Sequence, residues 1–210
     1  MPERSFARKF GAGEFADLMH DVIIGLMDNA IATTVAPLIG LPCWQVERGQ
    51  GSILSFEFGV PRLSIREPYV SNSSSARLRQ LAARRLVRPV GEWNLFIFCC
   101  QWRVMISGEA LANDGSPHAQ IEAAARVMDG QKLTGFTLDT VSGQTALSFD
   151  LGATLTMWPH EANEEEQWSL YRPDKRVLTY RADGLASLAA DDANSESEVW
   201  QRVARNVSVP

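Results

Sequence analysis

Leu54-Ser-Phe-Glu-Phe-Gly59 reads against Leu147-Ser-Phe-Asp-Leu-Gly152. Each stretch alternates apolar and polar residues and ends on glycine, the pattern of a half-buried strand running into a turn. Other blocks match in the same order. Ile31 through Gly40 lines up with Ile121 through Gly130, Leu63-Ser-Ile65 with Leu155-Thr-Met157, and Pro68 with Pro159. Trp93-Asn-Leu95 lines up with Trp168-Ser-Leu170, and Arg103-Val104 with Arg176-Val177. Length differences fall only between blocks. A repeat has to be recognised first, because it governs the fold class.

The repeat predicts an α+β protein. Two homologous antiparallel β-meander units, each preceded by a helical segment, pack with pseudo-twofold symmetry. Residues 1–30 form an N-terminal helical segment: Phe15, Leu18, Met19, Val22, Ile23, Leu26, Met27 and Ala30 recur at the helical period over 14–30. The first β-rich repeat covers 31–115, opening on an apolar segment that Pro37 breaks. Its strands are expected at 43–48, 52–58, 62–66, 93–98 and 101–107. Trp93 to Cys100 is apolar on both phases after Asn94, as in a central strand covered on both faces. The second repeat covers 116–188. Its helix runs from Pro117 to Val127, with Ser116 as N-cap and Gly130 past its end. Strands follow at 133–140, 144–150, 153–158, 167–171 and 176–181, with turns at 141–143 and 172–175. Residues 189–210 form an acidic tail, with a short helix over 197–205 that docks through Trp200 and Val203.

The copies differ most between the third and fourth strands. The first copy carries a basic helical insert at 73–89 containing Arg77, Arg79, Arg84, Arg85 and Arg88 and no acid. Leu78, Leu81, Ala82 and Leu86 give it one apolar face, Ser73 to Ser75 offer an N-cap, and Pro89 stops it. The second copy has instead a short connection holding Glu161, Glu164, Glu165 and Glu166. Equivalent places thus hold opposite charge. These nine residues are the candidate interaction surface. The plainest role for such arginines is pairing with acidic parts of their own chain, which needs no outside partner.

The 210 residues carry a net charge of −5, with 45% hydrophobic and 21% charged residues, ordinary for a globular protein. The acidic balance disfavours nucleic-acid binding. Neither a signal peptide nor a membrane span is read, because Asp28, Asn29 and Pro37 interrupt the longest apolar stretch. Cys43, Cys99 and Cys100 suit reduced, buried thiols in a cytoplasmic protein. If 99 and 100 lie in a strand, their side chains point to opposite faces and cannot hold one metal.

No phosphate loop, dinucleotide fingerprint, nucleophile elbow or zinc-protease motif is present. His20 and His118 read as helix-surface residues, and Ser107 as a strand-end serine. No catalytic residue, cofactor or metal ligand is assigned. Trp44, Trp102 and Trp158, with His160 beside Glu161, are the candidate pocket residues, against the plainer reading of core aromatics and a loop histidine.

Within 128–184 the chain carries Gly130-Gln131-x-Leu133, Leu147-x-Phe149-Asp150-x-Gly152-x-x-Leu155, Glu166-Gln167-Trp168-x-Leu170 and Arg181-x-Asp183-Gly184. This resembles the small β-rich domains of bacterial families of unknown function. The first copy departs from it, with Glu92 in place of Gln167 and no Arg-x-Asp-Gly ending. The resemblance implies a binding role without catalytic residues, since some bacterial proteins of this appearance are immunity or antidote proteins. The expectation is a non-catalytic protein-interaction protein of bacterial, cytoplasmic origin, with a protein partner or self-association as a homodimer and no membrane partner. The alternative is a small-molecule-binding β-rich fold, or an enzyme built on one, with nucleic-acid binding through the arginine segment as a further reading.

Overall fold

The computed structural model describes residues 27–194 and 198–210. The expected helix at 14–30 therefore lies mostly outside the described residues. Its end is seen as helix α1, residues 27–35, which runs through the expected boundary at residue 30. Pro37 then sits in a single 3₁₀ turn, Ala36–Leu38, where a missing N–H stops the helix.

Among the described residues fifteen strands follow, with helices α2 (Ala76–Ala82) and α3 (His118–Met128). The first sheet has the order β1-β2-β5-β11-β12-β13-β14 and the second β15-β8-β9-β10-β6-β7. The ranges are β1 Cys43–Arg48, β2 Leu54–Phe58, β5 Trp93–Ile97, β6 Gln101–Ile106 and β7 Glu109–Asn113. From the second segment come β8 Leu133–Asp139, β9 Gln144–Phe149, β10 Ala153–Trp158, β11 Glu166–Tyr171, β12 Arg176–Arg181 and β13 Leu185–Ala190. β14 (Gln201–Arg202) and β15 (Val207–Val209) complete the two sheets. A separate two-stranded ladder pairs β3 (Arg62–Arg66) with β4 (Leu86–Val90). All ladders are antiparallel, as the α+β reading expects.

The segments do not form two separate meanders. β5 of the first pairs with β11 of the second, and β6 pairs with β10. Each sheet thus draws strands from both segments, so neither segment closes a sheet alone. The inner faces of both sheets meet in one core. Phe56 stacks on Phe149, Trp168 on Tyr180, and Phe136 meets Trp168 edge-on. Trp168 donates its indole N–H to Thr145 Oγ1, which removes the cost of burying it.

Several local expectations are corrected. The 73–89 insert is not one helix. Ser75 caps α2 by accepting from Leu78 N–H, but the helix ends at Ala82. Leu86-Val-Arg-Pro-Val90 is a strand, because Pro89 cannot sit in a helix while β3 offers it a ladder. The leucine face has no cover: Leu78 and Leu81 stay exposed and only Ala82 is buried. Helix α3 has Pro117, not Ser116, at its N-cap, and Ser116 Oγ instead accepts from Asn113 N–H. Residues 198–205 hold no helix; β14 joins β13, whose edge offers a ladder, although Val203 is buried. Trp93 is only half-buried, unlike Trp168. β5 lies centrally between β2 and β11 but is fully covered on its inner face alone. Cys43 and Cys100 are buried free thiols, pushed up to about 12 mainly by desolvation, whereas Cys99 is exposed. β4, β7, β13 and β15 have no counterpart among the expected strands.

Candidate functional site

Residues 60–90 form an arm, β3-α2-β4, that leaves the first sheet where β2 and β5 end. Two glycines make the exit possible. Gly59 has φ +78°, a left-handed value that side chains resist. A Cβ on Gly91 would collide with the Phe58 backbone. Two carboxylates pin the same place. Glu57 accepts from Gly91 N–H at 2.8 Å, and Glu92 accepts from Val60 N–H at 3.1 Å. Glu57 is buried, and desolvation raises its pKa above the usual glutamate value, opposed by the Gly91 hydrogen bond and by Arg88.

The register splits the arm into two faces, because directly opposed residues share a side. Arg62, Ser64 and Arg66 face the same way as Val90, Arg88 and Leu86. Leu63, Ile65, Val87 and Pro89 take the other face. That second face is apolar yet bare: Leu63 is 68%, Ile65 57% and Val87 49% exposed. Among the described residues, nine of fourteen exposed large apolar side chains fall in 60–90, so the exposure belongs to the arm rather than to the surface at large. The arm also holds seven arginines against the single acid Glu67. The net charge of −5 therefore divides into +6 on the arm and −11 on the rest.

The polar face of the arm borders an open cleft of about 820 Å³. Its floor is the outer face of the first sheet: Glu47, Ser55, Glu57, Asn94 and Phe96. Its other border is the β11–β12 turn, with Tyr171, Arg172, Lys175 and Arg176. Burial and the nearby acids Glu166 and Asp191 raise the Tyr171 hydroxyl's pKa. Arg172 is held by Asp174 and Thr34, and Arg176 donates to the Leu188 carbonyl. The side chains of Arg62, Arg88 and Lys175 have no ion pair or hydrogen-bond partner among the described residues, although the Lys175 backbone N–H donates to the Arg172 carbonyl.

The expected arginines are thus split among different elements. Arg77 and Arg79 sit on α2, Arg84 and Arg85 in the turn after it, and Arg88 on β4. Arg79 donates to the Ser73 and Ser74 carbonyls, and Arg85 pairs with Glu67 inside the arm at 2.8 Å. None of the five is paired with the 161–166 connection. Glu161, Glu164 and Glu165 lie exposed at the far end of the first sheet, and Glu166 opens β11 opposite Arg181. Glu164 reaches Arg181 only at 3.7 Å. Along β5 the arm's end lies at Trp93, while Phe98 N–H donates to Gln167 at the acidic end. Five strand steps separate them by roughly 16 Å.

The chain matches no known protein family, curated protein or solved structure.

The candidate pocket residues do not converge. Trp102 is buried between the sheets and donates to the Ser52 carbonyl. Trp44 donates to the Gly59 carbonyl, and Trp158 to Gln101 Oε1 with Arg103 over its ring. His160 is exposed in the acidic connection, and none of the four lines the cleft. A cavity between the sheets, bordered by Leu133, Phe136, Leu147 and Trp168, holds only about 20 Å³, too small for any organic ligand. No cluster of three His, Cys, Asp or Glu fit to hold a metal occurs among the described residues. No described helix is long and apolar enough to cross a membrane.

Sequence reasoning missed Glu57, Arg62, Asn94 and Lys175. The alternation in Leu54-Ser-Phe-Glu-Phe58 does place Ser55 and Glu57 on the outer face. What it lacks is the second strand of the arm, and without β4 no register brings Arg62 beside Arg88.

Proposed function

We propose that this chain is a non-catalytic interaction protein that acts through its arm, and that its occupant is a second copy of the same chain. The bare apolar face of Leu63, Ile65 and Val87 carries the reading. A hairpin with one apolar face open to water is marginal unless something covers it.

Charge favours a second copy as that cover, because a +6 arm meets a −11 body. The acidic end of the first sheet offers a matching surface. It presents Glu161, Glu164 and Glu165 together with two bare apolar side chains. Val141 is 93% exposed in the β8–β9 turn, next to Gly143, whose neighbours are Pro159 and Gln167. Val199 is 67% exposed beside Glu198, which acts on Glu166. Arm and acidic end lie at opposite poles. A twofold axis between two such molecules sets each arm on the other's acidic pole, giving a closed dimer rather than a filament.

The proposal extends to the architecture. Helix α1, three strands and then β5, β6 and β7 recur as α3, three strands and then β11, β12 and β13, with α2 and β4 extra in the first run. That order supports descent of the two segments from one duplicated unit.

Sedimentation velocity tests the reading. The chain is expected to run as a dimer, and Leu63→Asp with Ile65→Asp to run as a folded monomer by circular dichroism. A wild-type chain that stays monomeric at its highest soluble concentration would overturn the proposal.

A further inference from the structure

We infer that the cleft beneath the arm is the seat of the partner copy's acidic connection, Glu161 to Glu165. This rests on the dimer reading above and adds the site that accepts each loop. The cleft is too polar for an ordinary small-molecule pocket, which is mostly apolar. Its cations without an ion pair or side-chain hydrogen bond come from two separate borders: Arg62 and Arg88 on the arm, which act on Glu57 of the floor only through longer-range attraction, and Lys175 on the β11–β12 turn. Its floor is made of acceptors, Glu47, Ser55, Glu57 and the Asn94 side-chain oxygen.

An extended chain segment fits that division. Successive side chains point to opposite sides, while backbone N–H groups lie at right angles to them. A segment laid along the floor sends side chains toward both borders and alternate N–H groups down to the acceptors. Glu164 has the opposite parity to Glu161 and Glu165. Carboxylates therefore reach the arm on one side and the turn on the other. Glu164 is 87% exposed in its own chain and free to move off its long 3.7 Å contact. The site is incomplete in one chain, because that chain's own loop sits at the other end of the sheet. The partner must supply it.

A charge swap tests this. One variant carries Arg62→Glu and Arg88→Glu in the cleft. The other carries Glu164→Lys and Glu165→Lys in the loop. All four positions are exposed, so both variants are expected to fold, which circular dichroism checks. Each variant alone should dimerise at least about tenfold more weakly than wild type. Mixed in equal amounts, they should form a heterodimer within about threefold of wild-type affinity, because each reversed cleft then meets a reversed loop and each native cleft a native loop. Dimers that survive both reversals, but dissociate on Leu63→Asp with Ile65→Asp, would overturn the loop-in-cleft contact and leave the dimer standing. Variants weakened singly but not rescued on mixing would overturn it as well. A wild-type chain that never dimerises would sink the dimer reading itself.

Discussion

β3 and β10 carry aligned sequences, Leu63-Ser-Ile65 and Leu155-Thr-Met157, and end in opposite surroundings. Leu155 is 0% and Met157 1% exposed, in a strand hydrogen-bonded to β9 on one side and β6 on the other. Leu63 and Ile65 lie in the open, in a strand whose one partner is β4. The alternation that makes each a strand is the same. What differs is the neighbour. The extra residues of the first segment give β3 a private partner, which carries it off the sheet and leaves its apolar face unburied. A local pattern thus specifies which side chains share a face, but not whether anything covers that face.

The sharpest way to break this comparison is to truncate both strands. Leu155→Ala should lose about 2–5 kcal/mol of stability through the lost transfer energy and the cavity left behind. Leu63→Ala should change it by no more than about 0.5 kcal/mol when measured on the monomer. Urea denaturation of both variants reads this directly, and equal losses would mean that the arm is packed after all.

A smaller effect sits where the arm leaves the body. Gly91→Ala drives a methyl into the Phe58 backbone and should cost about 1–3 kcal/mol. Gly115→Ala, in an exposed turn where a Cβ meets Asn113 only at ordinary distance, serves as the control and should change little. Comparable losses at the two glycines would show that the arm's exit imposes no special constraint.

The smallest expected effect is on pH dependence. Glu57 holds its proton more tightly folded than unfolded, because burial disfavours the carboxylate. In the window from the usual glutamate value of 4.5 up to its raised value, the folded state binds more protons, so stability falls as pH rises. Glu57→Gln keeps an acceptor for Gly91 N–H and removes that fall. Urea midpoints measured between about pH 4 and pH 8 should decline less for the variant than for wild type. Parallel declines would place the titration elsewhere.

Much of the scaffold was legible. The strands at 43–48, 62–66 and 153–158, the turn at 172–175 and Gly130 beyond α3 all follow from period, turn chemistry and glycine. The arginine segment misread for a definite reason. Leu78, Leu81, Ala82 and Leu86 keep helical spacing, yet spacing carries no information about a competing ladder, and β3 lies twenty residues upstream of β4. The candidate site was half legible. Opposite charge on the two connections is plain in the sequence, as is the outward phase of Glu57. For the tryptophans the plainer reading of core aromatics fits Trp102, which is buried, and an indole with one N–H is satisfied as well by a backbone carbonyl as by a ligand, as in Trp44 and Trp102.

The sequence by itself determined most strands of the two repeats, their faces and the division of charge, since these depend on side chains at short, regular spacings. Only the tertiary structure decided that strands of the two segments share sheets, that β3 leaves them, and that arm and glutamate connection stand at opposite poles. Those are matters of pairing between distant strands, and backbone hydrogen bonds of nearly equal strength leave the choice of partner to the packing of the whole chain.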